Sequence, residues 1–355
     1  MELMIVMINK IKFKYAMLIF LLLIILILSF FVALSYGSVD ISYKLIYKTV
    51  IEEFFIPEEF IYGKVEPVHD IIWLLRMPRI LLAAIVGAGL SVAGVVIQSI
   101  VKNPLADPYI LGISSGASLG ATLAIFSNIG LILGVNFIGI SACIGSLIIS
   151  ILVIAISSIG SSQNSIKLLL IGMALNAICS AFTGLIVYLA DDMENIQTIT
   201  YWLMGSFSGA NWESLKVIYL IVINSIIFFY YQSRILDIML LGDETALTLG
   251  YDLKIFKKFY LVIVSLMVGF IVYGCGIIGF VGLLIPHVIR ISMGTNHKII
   301  IPISALCGSI FLIWADLGCR VIVSGSELPI GILVSSLGGT FFLYIMIKNS
   351  YRFWR

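Results

Sequence analysis

The sequence predicts an all-α polytopic membrane protein with about ten transmembrane helices. Three observations carry that fold class. Hydrophobic residues make up 61% of the 355 and charged residues 11%, against about 45–50% and about 25% in a soluble domain. The mean hydropathy is +1.15. The apolar residues fall in runs of bilayer length, and backbone groups in lipid must pair within their own segment, so each run is a helix. This excludes a soluble enzyme, a disordered chain and a nucleic-acid binder, for which a net charge of +2 offers no footprint.

Taken in order, a cytoplasmic tail (1–15) with Lys10, Lys12 and Lys14 leads into the apolar run Ala16 to Ala33. That run is long and no clean cleavage pattern follows, so it reads as a retained first span, about 16–36, rather than a signal peptide. A polar loop, 37–70, carries the acidic cluster Glu52, Glu53, Glu58 and Glu59, to which no role is assigned. Spans 2 to 5 cover about 72–101, 111–127, 136–158 and 167–190. A polar-aromatic loop, 191–213, holds the short apolar segment Ile199 to Phe207. Span 6 is about 214–232, and a charged loop, 233–257, precedes span 7, about 258–275. Spans 8, 9 and 10 cover about 279–292, 300–322 and 329–347, and residues 349–355 form a second tail. Residues 16–348 thus make one membrane domain.

Lys and Arg fix the orientation. With the N-terminus inside, fourteen of the 21 fall on the inner side, although the first outer loop alone runs against the rule. Both termini are then cytoplasmic, and the protein sits in the cell membrane.

Small residues recur every fourth position: Gly112, Gly116, Gly120 and Ala124 in span 3; Gly172, Asn176, Ser180 and Gly184 in span 5; Gly331, Ser335 and Gly339 in span 10. That spacing lines one helix face, for close helix packing or for a pathway wall. Asn176 favours the second for span 5, because an amide facing lipid is costly. Asp316 and Arg320 are spaced to pair on one face of span 9. His287, after Pro286, is expected to be a hydrogen-bonded packing residue. The five cysteines lie in apolar runs as packing residues, and no metal, cofactor or catalytic constellation is visible.

Prolines and glycines break the chain twice. Asn103-Pro104-Leu105-Ala106-Asp107-Pro108 predicts a tight, rigid turn after span 2. Gly274 to Gly282 predicts a break before span 8, of the kind that borders a cavity or hinge. In loop 233–257, Leu241 to Gly250 predicts two short helical pieces around a glycine. Asp243 and Glu244 belong in the first turn of the second piece, and Gly250 at its C-terminal cap. The loop is either an amphipathic connector or a docking element.

Four blocks carry a family resemblance. They are Arg76-Met77-Pro78-Arg79 with Gly87, Gly94 and Gln98; the Asn103 to Pro108 turn with Leu111-Gly112 and Gly116-Ala117; Gly279-Phe280-Val281-Gly282-Leu283 through Pro286-His287 and Arg290; and Ala315-Asp316 with Arg320 and Glu327 to Gly331. In this order the chain, from about residue 70, resembles the permease subunits of ATP-binding-cassette (ABC) importers for iron-siderophores, haem and cobalamin, the FecCD type. The resemblance implies a type II importer fold, a homodimer with ten helices per subunit, and a pathway lined by spans 5 and 10 (Gly172, Asn176, Ser180, Gly331, Ser335). It implies two cytosolic ATP-binding subunits seated on the coupling loop (Asp243, Glu244, Ala246, Gly250). It also implies an extracytoplasmic solute-binding protein docked on Arg76, Arg79 and Arg320, and an inner gate at Asn103, Leu105 and Ser165. The chain would then be no enzyme itself and need no cofactor. It carries no Walker A loop. The other reading is an ion- or proton-coupled secondary transporter, for which the spans lack a chain of carboxylates or histidines.

Overall fold

The computed structural model describes residues 2–37, 41–42, 44–46, 48–49, 66–127, 136–159, 165–190, 192–323 and 326–349. The acidic cluster Glu52 to Glu59 lies outside them. Among the described residues, eight helices are long and apolar enough to cross a membrane, and two shorter apolar helices accompany them. These ten coincide with the ten expected spans.

The chain runs as α1 (Glu2–Ser35), α2 (Met77–Val101), α3 (Ile113–Phe126), α4 (Asn136–Ser157) and α5 (Ser165–Leu189). It continues as α6 (Met193–Met204), α7 (Trp212–Tyr231), α8 (Ser233–Leu241), α9 (Asp243–Thr248) and α10 (Leu253–Cys275). It ends with α11 (Val281–Met293), α12 (His297–Val321) and α13 (Ile330–Asn349). Loop 191–213 contains α6, which was not expected as a helix. Asp192 caps it by accepting the Glu194 N–H (3.0 Å), and Glu194 suits its first turn. At 12 residues α6 is about 18 Å long, too short to span.

Helix α2 is apolar all round and forms the hub, 94% buried over its most apolar window. It packs against α12, α11, α7 and α10, while α3 pairs with α4 and α1 leans on α12. Two contacts explain the intimacy of the hub. A Cβ on Gly87 would strike the Gly308 carbonyl of α12, and one on Gly94 the Gly282 carbonyl of α11. Only hydrogen fits between backbones at that approach. Ahead of α2 the chain takes a π-helical turn over Ile71–Arg76. Pro78 has no N–H for the Leu74 carbonyl, so the ladder widens there, and the Met77 N–H reaches Ile72 instead.

The break before α11 falls where expected: residues 276–280 leave the helix, with Gly276 at φ +68° and Phe280 at φ +66°. By contrast, α5 is 11% and α13 24% buried over the same kind of window.

Candidate functional site

At one end of the bundle two arginines, Arg79 and Arg320, flank Asp316, which is 1% exposed, and a third, Arg76, joins Arg320 at the end of α1. Arg79 Nε donates to Asp316 Oδ1 (2.9 Å), and its Nη1 reaches both oxygens of Glu327 (2.8 Å each). Arg320 Nε lies 3.1 Å from Asp316 Oδ2, the expected pair on one helix face. Arg76 is buried and donates to the Leu34 (2.5 Å) and Ser35 (3.1 Å) carbonyls. Arg320 Nη1 donates to those of Ala33 and Tyr36 (3.2 Å each). The orphan carbonyls at the C-terminus of α1 carry the negative end of the helix dipole, so two guanidiniums clasp it there. The three arginines expected to dock a partner are thus brought together and engaged within the chain. Glu327, the outer partner of Arg79, has its side chain half exposed.

At the opposite end, Lys102 closes α2 in the left-handed conformation (φ 58°). Asn103 Oδ1 then accepts the Leu105 N–H (2.9 Å), and Asp107 Oδ1 the Tyr109 N–H (2.8 Å) ahead of Pro108. This is the tight turn expected. Asn103 and Leu105 are half-buried on it. Burial pushes the Asp107 carboxyl up to about 6, against the Tyr109 hydrogen bond. Ser165 is the first residue of α5, and its side chain lies outside the described residues.

Helices α8 and α9 are the two expected pieces, joined at Gly242 (φ +105°). Asp243 accepts from Lys257 Nζ (2.7 and 2.8 Å) and lies 3.2 Å from Lys102 Nζ. Partial burial works against its charge, but the two lysines outweigh it and hold the carboxyl below the usual carboxylate value. Glu244 is exposed, whereas Ala246 turns inward and is buried. Gly250 (φ +85°) closes α9, with its N–H on the Leu247 carbonyl and the Tyr251 N–H on the Ala246 carbonyl, 2.9 Å each. Leu241, Leu247, Leu249 and Ile255 stand exposed around it, each more than half.

A polar network at this end had no sequence signal. His297, fully buried at the start of α12, places Nδ1 2.6 Å from Asp237 Oδ1 of α8, which also accepts the His297 backbone N–H (3.0 Å). Its Nε2 meets Ser99 Oγ of α2 (2.6 Å) and Arg290 Nη2 of α11 (3.1 Å). Asp237 and His297 are 60 residues apart, so no helical spacing could pair them.

The small-residue faces divide. On α3, a Cβ at Gly116 or Gly120 would strike the Gly145 or Ser141 carbonyl of α4, so that stripe serves packing. On α5, Gly172 is buried, but Asn176, Ser180 and Gly184 are exposed. On α13, Gly331 lies against the Met204 carbonyl at the end of α6, and Ser335 is half-buried. His287 is buried as expected, with its ring 6.1 Å from that of Phe342. The hydrogen bond expected of it is not there: neither ring nitrogen has a partner among the described residues. Among the described residues no cluster of metal-ligating side chains occurs.

Known proteins give these features a context. Residues 24–348 match the family described as the FecCD transport family. The hemin transport system permease protein HmuU of Yersinia pestis is 39% identical over 281 residues, 78% of this chain and 84% of that one. The vitamin B12 import system permease protein BtuC of Vibrio cholerae is 34% identical over 281 residues, 79% and 84% of the two chains. A solved structure described as a metal-chelate type ABC transporter, in an inward-facing conformation, superposes with a TM-score of 0.81. It is 30% identical and covers 94% of this chain and 99% of its own.

Proposed function

The chain belongs to the FecCD transport family and is the membrane permease of an ABC importer, with hydrolysis left to separate subunits, and we propose that two copies enclose the path of a metal chelate of the haem, cobalamin or siderophore class. The exposed face of α5 carries this reading. That helix is little buried in the protomer, yet presents Asn176, Ser180 and Gly184 on one side. Lipid gives an amide no partner, so such a face wants a second protein surface or a watered path beside it. Gly172, Gly331 and Ser335 complete the proposed lining with α13, and α5 and α13 from both copies would frame it.

The ATP-binding subunits seat on α8 and α9. There Leu241, Leu247, Leu249 and, at the start of α10, Ile255 stand exposed near exposed Glu244 and the Gly250 cap. On this reading the α8–α9 end and both termini face the cytoplasm, and Asn103, Leu105 and Ser165 form the inner gate. On this reading a solute-binding protein docks at the other end, over the cluster of Arg76, Arg79 and Arg320, with one of its carboxylates competing with half-exposed Glu327 for Arg79.

The testing experiment reconstitutes the permease with its ATPase and binding protein in vesicles and supplies hemin, cyanocobalamin or a ferric siderophore. Uptake of one of them that stops without ATP and survives an uncoupler is expected. Uptake that survives ATP depletion and collapses with the uncoupler would identify a secondary transporter. Disulfide cross-linking of Ser180→Cys between two copies checks the pairing, and absence of a cross-link in the assembled complex refutes it.

A further inference from the structure

The coupling loop touches the bundle through two polar links, and they are not alike. The link at α9 is Asp243 with Lys257 and Lys102. The link at α8 runs through Asp237, His297, Ser99 and Arg290, and joins four elements: α8, α12, α2 and α11. Arg290 Nη2 also donates to the Val95 carbonyl (3.1 Å) and to Ser99 Oγ (3.1 Å). Arg290 has only N–H groups to offer, so His297 Nε2 accepts. The imidazole is therefore neutral, with its proton on Nδ1 directed at the Asp237 carboxylate. The order of groups from α8 inward is anion, neutral ring, cation.

Ser, His and Asp in this sequence of contacts resemble a hydrolytic triad. They are not one here. Ser99 and His297 are both 0% exposed, with Ser99 Oγ held between His297 Nε2, Arg290 Nη2 and the Val95 carbonyl (2.8 Å). No substrate reaches them.

The inward elements of the network are those that cannot slide. Helix α2 meets α11 at the Gly94–Gly282 contact and again where Gln98 Nε2 donates to the Leu283 carbonyl (3.3 Å). It meets α12 at Gly87–Gly308. A displacement of α8 therefore arrives at three helices as one body. Ser99 stands three residues before Lys102, after which the proposed gate turn begins.

We infer that Asp237 and His297 are positioning residues that transmit movement of the α8 coupling helix to the α2–α11–α12 core and so to the inner gate. The inference rests on the importer reading given above. Its test uses the permease assembled with its ATP-binding subunits in nanodiscs, with spin labels at Leu105→Cys in both copies. Two quantities are read: ATP hydrolysis, and the change in label separation when Mg-ATP and vanadate are added. In the otherwise unaltered protein the separation changes. With His297→Ala or Asp237→Ala, hydrolysis is expected to stay within about twofold, while the nucleotide-driven change shrinks at least fivefold. Asp237→Asn keeps an oxygen to accept both His297 N–H groups and is expected to restore most of it. A gate that moves as far in both alanine variants as in the parent overturns the inference. So does loss of assembly in both, which would assign the network to folding alone. If the parent complex neither binds ATPase subunits nor responds to nucleotide, the importer reading fails with it.

Discussion

Replacing Asp316 by Asn removes one charge from a site where three charged groups are buried together. Asp316 is 1% exposed, and the side chains of Arg79 and Arg320 are 12% and 5% exposed. Removing one partner of a buried ion pair costs about 3–5 kcal/mol, because the remaining charge keeps its desolvation and loses its counter-ion. Here Arg79 retains Glu327, whose carboxylate is half in water, so the loss belongs near the lower figure. Arg320 retains only the carbonyls of α1, which are weaker partners for a cation. The unfolding midpoint should fall by about 5–10 °C, taking roughly 2–4 °C per kcal/mol for a chain somewhat shorter than this one. Cysteines report the transition directly: all five are free, and only Cys307 is not fully buried, so a thiol-reactive fluorophore brightens as the bundle opens. A second variant, Asp316→Asn with Arg320→Gln, removes the charge that the first leaves stranded. It should lose less than the sum of the two single losses by at least about 1 kcal/mol. A midpoint within about 2 °C of the parent, or strict additivity, would refute the view that this cluster holds uncompensated charge in check.

Asp107→Asn should stabilise the protein at neutral pH. The folded carboxyl titrates at about 6, above its ordinary 3.8, so the native state holds that proton more tightly. Its contribution is full below 3.8 and is lost as pH rises through 6. Above that, removing the charge should recover up to about 3 kcal/mol, while at pH 4 the variant should gain little, as thermal midpoints at the two pH values would reveal. Gly94→Ala should cost at least about 1–3 kcal/mol, since its Cβ meets a carbonyl that cannot swing aside. Gly184→Ala should be neutral or gain up to about 1 kcal/mol in the protomer, with nothing within 4 Å of the added carbon. Equal thermal shifts in the two glycine variants would contradict this packing.

The spans were legible because lipid leaves one solution for an apolar run of this length, and the ten runs are where the helices are. Turn chemistry was legible for the same local reason: Asn103, Asp107 and Gly250 act on backbone groups two to four residues away. The α6 helix was hidden by its polar, aromatic composition, although Asp192 and Glu194 are ordinary start signals. What sequence could not give was anything that depends on helices meeting. Arg79 and Asp316 are 237 residues apart, and Arg76 and Leu34 are 42 apart. The family resemblance singled out Arg76, Arg79 and Arg320; only the fold shows that Arg76 and Arg320 clasp the end of α1. The small-residue stripes make the same point, since identical spacing served packing on α3 and was left open on α5.

The α8 and α9 links of the proposed coupling loop differ in mechanical character. At α9 the Asp243 side chain is 44% exposed and its partners are lysines on flexible stems, 28% and 10% exposed. A pair in that setting contributes about 1 kcal/mol or less and re-forms easily after a displacement. At α8 the Asp237 side chain is 41% exposed, but its contact is a short hydrogen bond to a ring with no exposure, backed by a half-buried arginine, and breaking it would strand polar groups. A force applied to the exposed Leu241, Leu247, Leu249 and Ile255 should thus shift α9 first and carry α8 together with the core. Asp243→Asn tests this ordering: the thermal midpoint should move by less than about 2 °C, while nucleotide-driven movement of a label at Leu247→Cys, on α9, should increase. If Asp243→Asn instead destabilised the bundle as strongly as Asp316→Asn, the α9 link would be a rigid one and the ordering would be reversed.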